Sequence, residues 1–334
     1  MFNGKIDLVY LWVDSADRRW LSRKNQHLQH YGELDIQATA KGRWFSNDEL
    51  RYSLRSVEKY LPWINHIFIV TDEQVPKWLD TANPRVSIVD HKAIIPAEYL
   101  PLYNSAAIEM FLANIPDLAE HFLYANDDMF VNAPLDSSYF FEPDGTPIVD
   151  VVQKRWRRNL FERGDYERAL AGRKHQFERW LAQTSRELWR AYGIKTMYQP
   201  VHQIEPMRKS YLADNVANPK LAPMFEKIRR ARFRMEESVQ RIIFPLLDRM
   251  KGRTKLRVEK KLSLAQKLVR LFVPRRARNL VVSDRRRAEE ITVLRPFLFC
   301  INDDENTTDL RRKENKAFLA RHFPTPSQFE IKEQ

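Results

Sequence analysis

Two carboxylate clusters carry the residue types and spacing that chemistry would need. Asn126-Asp127-Asp128 and Asn302-Asp303-Asp304 each follow directly on an apolar run. Adjacent carboxylates repel each other unless a cation sits between them. Hard oxygen donors of this kind suit Mg²⁺ or Mn²⁺ bridging a diphosphate. Asp14 and Asp17 follow a third apolar run, IDLVYLWV at 6–13. Asn and Asp are also turn formers, so a solvated turn is the alternative for each cluster, and the favoured one for 302–304 taken alone. His202, bracketed by Pro200 and Pro206, lies on an ordered non-helical segment and could be a general base, a phosphate ligand or a structural group. Arg234 offers the fork that suits phosphate oxygens. With 56 Lys and Arg and 8 His in the chain, spacing alone singles out neither residue.

These groups need elements to bring them together. Residues 6–13, 64–70, 86–89 and 121–131 are short β-branched or aromatic runs that read as strands. Between them, 47–60 and 106–118 read as helices; Leu50, Leu54 and Val57 recur at helical spacing, and Asn47 or Asp48 could cap the start. Strands alternating with helices predict a mainly parallel, doubly wound α/β sheet, with ligands at the carboxyl ends of its strands. From about 152 the composition shifts to Arg, Trp and Leu. Residues 154–192 and 206–250 read as helices, and 254–273 as a basic amphipathic stretch stopped by Pro274. A strand-like run returns from 292. The expected organisation is an α/β core over 1–151, a basic helical insertion over 152–290, and a segment returning to the core over 291–334.

Composition limits the function classes. The 334 residues (39.8 kDa) make one large domain or two modest ones, and 43% hydrophobic with 12% aromatic residues excludes a mainly disordered chain. The single cysteine, Cys300, excludes an internal disulfide and a Cys-based zinc site. Only 8 glycines are present, in neither a G-x-G-x-x-G nor a Walker-type run. The net charge of +12 is concentrated: residues 227–290 hold 21 Lys and Arg against 7 Asp and Glu. Such a block predicts a docking surface for an anionic polymer or anionic lipid, with a solvated helical face as the equal alternative. Without an RNP, KH or zinc-finger signature, nucleic acid is not the expected partner. No run approaches the ~18 apolar residues of a membrane span. The first five residues lead into a strand rather than a signal peptide, so a cytoplasmic protein is expected.

Four separated blocks then resemble one family: IDLVYLWVDSAD at 6–17; NDELRYSLRSVEKYLPWINHIFIVTDEQVPKWL at 47–79, continuing through YNSAAIE at 103–109 and FLYANDDMFVN at 122–132; PVHQIEPMRK at 200–209; and FCINDDEN at 299–306 with FPTPSQFE at 323–330. The chain is identified by them as a member of the Stealth family, which includes bacterial capsular hexose-1-phosphate transferases and the catalytic subunit of lysosomal-enzyme N-acetylglucosamine-1-phosphotransferase. The resemblance implies a GT-A-like nucleotide-sugar-binding core. It implies transfer of a sugar-1-phosphate from a nucleotide sugar, usually a UDP-sugar, to a hydroxyl of a growing polymer, here an anionic polysaccharide; peripheral membrane association is a separate expectation that rests on the basic segment at 227–290. Carried onto this chain, it implies Trp12, Asp14, Arg51, Arg55, Asn104 and Asn302 for nucleotide-sugar binding. His202, Arg234 and Asp48 are implied for catalysis, and Asp127, Asp128 and Asp303 for Mg²⁺ or Mn²⁺. Ser46 departs from the family, whose members often carry an acid there. The competing expectation is an ordinary GT-A glycosyltransferase that releases a nucleoside diphosphate.

Overall fold

The computed structural model describes residues 1–30, 44–153, 176–195, 198–234, 238–259, 277–283, 286–303 and 306–332. Its main sheet has five strands. β1 (Ile6–Leu11), β2 (Ile67–Thr71), β3 (Val86–Asp90) and β4 (His121–Asn126) run parallel. A fifth strand, Glu205–Arg208, is antiparallel against β4 and closes the order at that edge. Five of the six residues of β1 and all five of β2 are buried, as expected where helices cover both faces of a parallel sheet. The predicted parallel α/β core is therefore present.

The run 121–131, expected as one strand, is two. β4 ends at Asn126, the chain turns at Asp127 and Asp128, and β5 (Met129–Val131) leaves for a second sheet. There β5 lies antiparallel to Leu298–Ile301, which pairs in parallel with Asn279–Val282. The alternation of apolar residues is the same on either side of the turn, so periodicity alone does not show the change of sheet. A third small sheet joins β6 (Ile148–Gln153) to Tyr198–Pro200 and Lys255–Glu259.

The helix Glu49–Tyr60 is wedged between the first two sheets. Leu50, Leu54 and Val57 are buried as their spacing predicts, but so are Ser53 and Ser56 beside that stripe. Those hydroxyls satisfy the β5 backbone: Ser53 Oγ donates to the Met129 carbonyl at 2.5 Å, and Val131 N–H donates to Ser56 Oγ at 3.1 Å. Phe130, Phe299 and Phe323 stack across the second sheet and the helix Asp309–His322, with centroids 4.8, 6.1 and 6.2 Å apart. Together these contacts fix the turn that carries Asp127 and Asp128.

Several local expectations change. Residues 106–118 form a short helix, Ser105–Ile108, continued as a 3₁₀ turn, Glu109–Asn114. Thr292–Leu294 end a helix, and the strand begins only at Leu298, past Pro296, which cannot donate to a ladder. The span 152–290 includes the helices Gln176–Tyr192, Lys209–Val216, Ala222–Arg230 and Ile243–Met250, but it also adds strands to all three sheets. Of the stretch 254–273, Lys255–Glu259 is a strand and 260–273 lies outside the described residues, as do 154–175. No described helix is long and apolar enough to cross a membrane.

Candidate active site

A cleft of about 800 Å³ opens along the carboxyl edge of the main sheet. Leu11 and Trp12 at the end of β1, Asp72 just past β2, His91 just past β3, and Asn126, Asp127 and Asp128 after β4 form its floor. His202, Arg234, Asn302 and Asp303 reach the same cavity from later segments. Seven residues implied by the resemblance are thus brought together: Trp12, Asp127, Asp128, His202, Arg234, Asn302 and Asp303.

The acidic end holds more carboxylate than it can ionise. Burial, then Asp128 and Asp303, push the Asp127 carboxyl up from its ordinary 3.8 to about 8. Glu49 is raised well above the usual range by burial and then by Asp127. It starts the helix after Asp48, a non-glycine residue at φ 64°. Asp128 Oδ2 accepts from the Cys300 thiol at 3.0 Å and lies 3.6 Å from His202 Nε2. Asp128 Oδ1 is sealed from solvent and meets no donor among the described residues.

That orphaned oxygen, set beside a neighbour whose ionisation is suppressed, fits a hard divalent cation. Ligand atoms of Asp128, His202 and Cys300 lie within 4.8 Å of one another. Burial and the Asp128 carboxylate raise the Cys300 thiol far above its usual value, so without a cation it stays protonated and donates to Asp128. Asp303 lines the cleft while its Oδ2 accepts from Arg312 Nε at 2.6 Å. Asp304 lies outside the described residues.

The facing wall is cationic. The Arg234 guanidinium lies 4.1 Å above the Trp180 ring, which holds its plane. His202 is anchored through its carbonyl, which accepts from Asn279 Nδ2 at 3.0 Å. Deeper in, Arg241 bonds Glu109 at 3.0 Å and Glu205 at 3.1 Å, while Tyr124 O–H donates to Glu109 at 2.9 Å. Arg257 grips Asp150 through two bonds of 2.6 Å, and Gln203 donates to the same carboxylate at 2.7 Å. Sequence reasoning missed Glu49, Glu109, Asp150 and Arg241. Glu49 adjoins Asp48, which the resemblance implies instead; Glu109, although it closes the block YNSAAIE, becomes a neighbour of Arg241 only through the fold, as Asp150 does of Arg257.

Five implied residues do not line the cleft. Arg51 and Arg55 grip Glu330 near the chain's end, Arg51 Nε at 2.5 Å and Arg55 Nε and Nη2 at 2.6 and 2.7 Å. Asp48 pairs with Lys316 at 2.5 Å. Asp14 accepts from the Ala16 amide at 2.8 Å, and its own amide donates to Gln74. Asn104 is buried behind the wall, donating to the Ala231 carbonyl at 3.1 Å. In this structure the first four hold loops and helices in place. Helical spacing on 49–60 does not show that Arg51 and Arg55 turn toward the C-terminal segment.

Residues 43–149 match the family model described as Stealth protein CR2, conserved region 2. The chain is 38% identical over 207 residues to the capsular polysaccharide phosphotransferase LcbA of Neisseria meningitidis, covering 62% of this chain and 54% of that one. It is 45% identical over 148 residues to the exopolysaccharide phosphotransferase cps2G of Lactiplantibacillus plantarum, covering 44% and 42%. A capsular polysaccharide phosphotransferase LcbA of Aeromonas hydrophila is 46% identical over 151 residues, covering 45% and 42%. The chain spans about half the length of the curated relatives it matches. Among solved structures, the galactosyltransferase LgtC in complex with donor and acceptor sugar analogs overlays 97% of each chain at 9% identity with a TM-score of 0.44. That overlay is too loose to bear on chemistry.

Proposed function

We propose, since the chain belongs to the Stealth family, that it transfers a sugar-1-phosphate from a nucleotide sugar to a hydroxyl of a growing capsular or exopolysaccharide. The observation that carries this reading is the convergence of Asp127, Asp128, His202 and Arg234 on one cleft, in a chain similar to named polysaccharide phosphotransferases. The acceptor oxygen attacks the phosphorus nearest the sugar. A new P–O bond forms, the bridging P–O bond of the diphosphate breaks, and the nucleoside monophosphate leaves with that oxygen.

Charge builds on the phosphoryl and bridging oxygens, so positioning and electrostatics must supply most of the catalysis. Arg234, held flat on Trp180, binds the transferring phosphoryl oxygens. His202 Nε2 takes the acceptor's proton, and Asp128 Oδ2, 3.6 Å away, stabilises the imidazolium that results. Asp127 and Asp128, with Asp303 beside them, would hold Mg²⁺ or Mn²⁺, which when bound neutralises diphosphate charge. UDP is the expected nucleotide carrier.

The test is incubation with a panel of UDP-sugars, Mg²⁺ and an acceptor oligosaccharide, followed by phosphorus NMR. Release of UMP is expected. Release of UDP would mean attack at the sugar carbon and would overturn the reading in favour of ordinary glycosyl transfer.

A further inference from the structure

The cleft has two chemically different ends. The end at β4 is acidic and fits a cation and a diphosphate. The end at β2 and β3 contains Asp72 and His91 and is walled by aromatic rings. There Trp20 meets Tyr103 edge-on at 5.6 Å and Trp44 at 5.7 Å. All three rings line the cavity.

We propose that Asp72 and His91 hold the hydrogen-bonding edge of the donor's nucleobase against this aromatic wall. The inference rests on the reading of the donor as a nucleotide sugar and adds which residues recognise the nucleotide. The strand order β3-β2-β1-β4 sets the distances. Neighbouring strands stand about 4.8 Å apart, so the ends of β2 and β3 lie roughly 10 and 14 Å from that of β4. A diphosphate anchored at Asp127 and Asp128 therefore sends its nucleoside along the sheet edge toward Asp72 and His91. On the other side of β4, Glu109, Glu205, Arg241 and Tyr124 already bond one another.

Both recognition groups are built rather than incidental. Arg23 holds Asp72 Oδ2 at 3.2 Å, and Oδ1 meets no donor among the described residues. His91 is 6% exposed, and its buried Nδ1 has no partner among the described residues. Burial lowers its pKa, so at neutral pH the ring carries one N–H and one lone pair. A fixed acceptor beside a donor–acceptor ring, with aromatic faces around them, matches the edge and face of a planar heterocycle.

Isothermal titration calorimetry with Mg²⁺ and UDP, CDP, GDP, ADP or pyrophosphate tests this on the full chain and on His91→Ala, His91→Gln and Asp72→Asn. His91→Ala and Asp72→Asn should weaken the best-bound nucleotide roughly tenfold or more. Pyrophosphate affinity should change less than about twofold, and His91→Gln should keep most of the nucleotide affinity. Pyrophosphate binding shows that each variant is folded. Equal losses for nucleotide and pyrophosphate, or an unchanged nucleotide affinity, would overturn the inference and leave the transfer reaction standing. Failure of the unmodified chain to bind any nucleotide would overturn the donor reading itself.

Discussion

Replacing Glu330 by Gln separates a structural role for Arg51 and Arg55 from a role in binding the donor. Glu330 is 4% exposed and Arg55 9%, so their pair is shielded from solvent. Burial pushes the Glu330 carboxyl up, but Arg55, the Ser327 amide and Arg51 outweigh it and hold the group at about 2 against an ordinary 4.5. A lowering of that size corresponds to roughly 3 kcal/mol of stability. Because the folded value is depressed, this contribution is fully present above pH 4.5 and is lost as pH falls toward 2. At pH 3 somewhat less than half of it survives. The variant also leaves Arg55 buried without its counter-charge, so the cost at pH 7 should be about 3–5 kcal/mol. Urea titrations at pH 7 and pH 3 read the gap between the two proteins, which should narrow by roughly 2 kcal/mol on acidification. Nucleotide affinity at pH 7, measured well below the unfolding midpoint, should change little. A gap that is the same at both pH values would refute the electrostatic account. A selective loss of nucleotide affinity with stability intact would return Arg51 and Arg55 to the binding site.

Three further outcomes follow from the cleft. His202→Ala should lower turnover by about 10²–10⁴ with donor affinity nearly unchanged, and a loss confined to donor affinity would make it a binding residue. Asp127→Asn should stabilise the cation-free protein, since a raised carboxyl carries a cost that sets in above its ordinary 3.8, grows with pH and levels off above its folded value of about 8. Melting curves in EDTA at pH 5 and 8 check this: the variant should gain more at pH 8, and Mg²⁺ should stabilise it less than it stabilises the unmodified chain. Neutralising Arg278 and Arg286, which line the cleft, should raise KM several-fold for long anionic acceptors at low salt and spare short ones. Equal effects at all acceptor lengths, or none, would count against an electrostatic track for the polymer.

What local pattern encodes was legible along the chain. β1, β2 and β3 lie within a few residues of their apolar runs; β1 and β2 do so because a strand buried on both faces needs an uninterrupted apolar stretch. The helix at 49–60 follows from Leu50, Leu54 and Val57 at their spacing. Asp127 and Asp128 stood out as adjacent acids after a buried strand, and they do sit in the cleft. What tertiary structure alone decided depends on partners distant in sequence. Arg55 meets Glu330 across 275 positions, and Arg241 meets Glu109 across 132, so neither pairing leaves any periodic trace. The turn at 127–128 reads as part of a single strand because the residues before and after it are equally apolar; only the pairing of Met129–Val131 with Leu298–Ile301 sends the chain into another sheet. Glu49 and Asp48 are adjacent carboxylates that residue type does not rank. The helix start leaves Asp48 37% exposed against Lys316 and turns Glu49 inward, where burial and then Asp127 raise its pKa. Residue type and spacing thus identified which groups could do chemistry. Which of them share a cavity was set by long-range pairing, and that is invisible to any window along the chain.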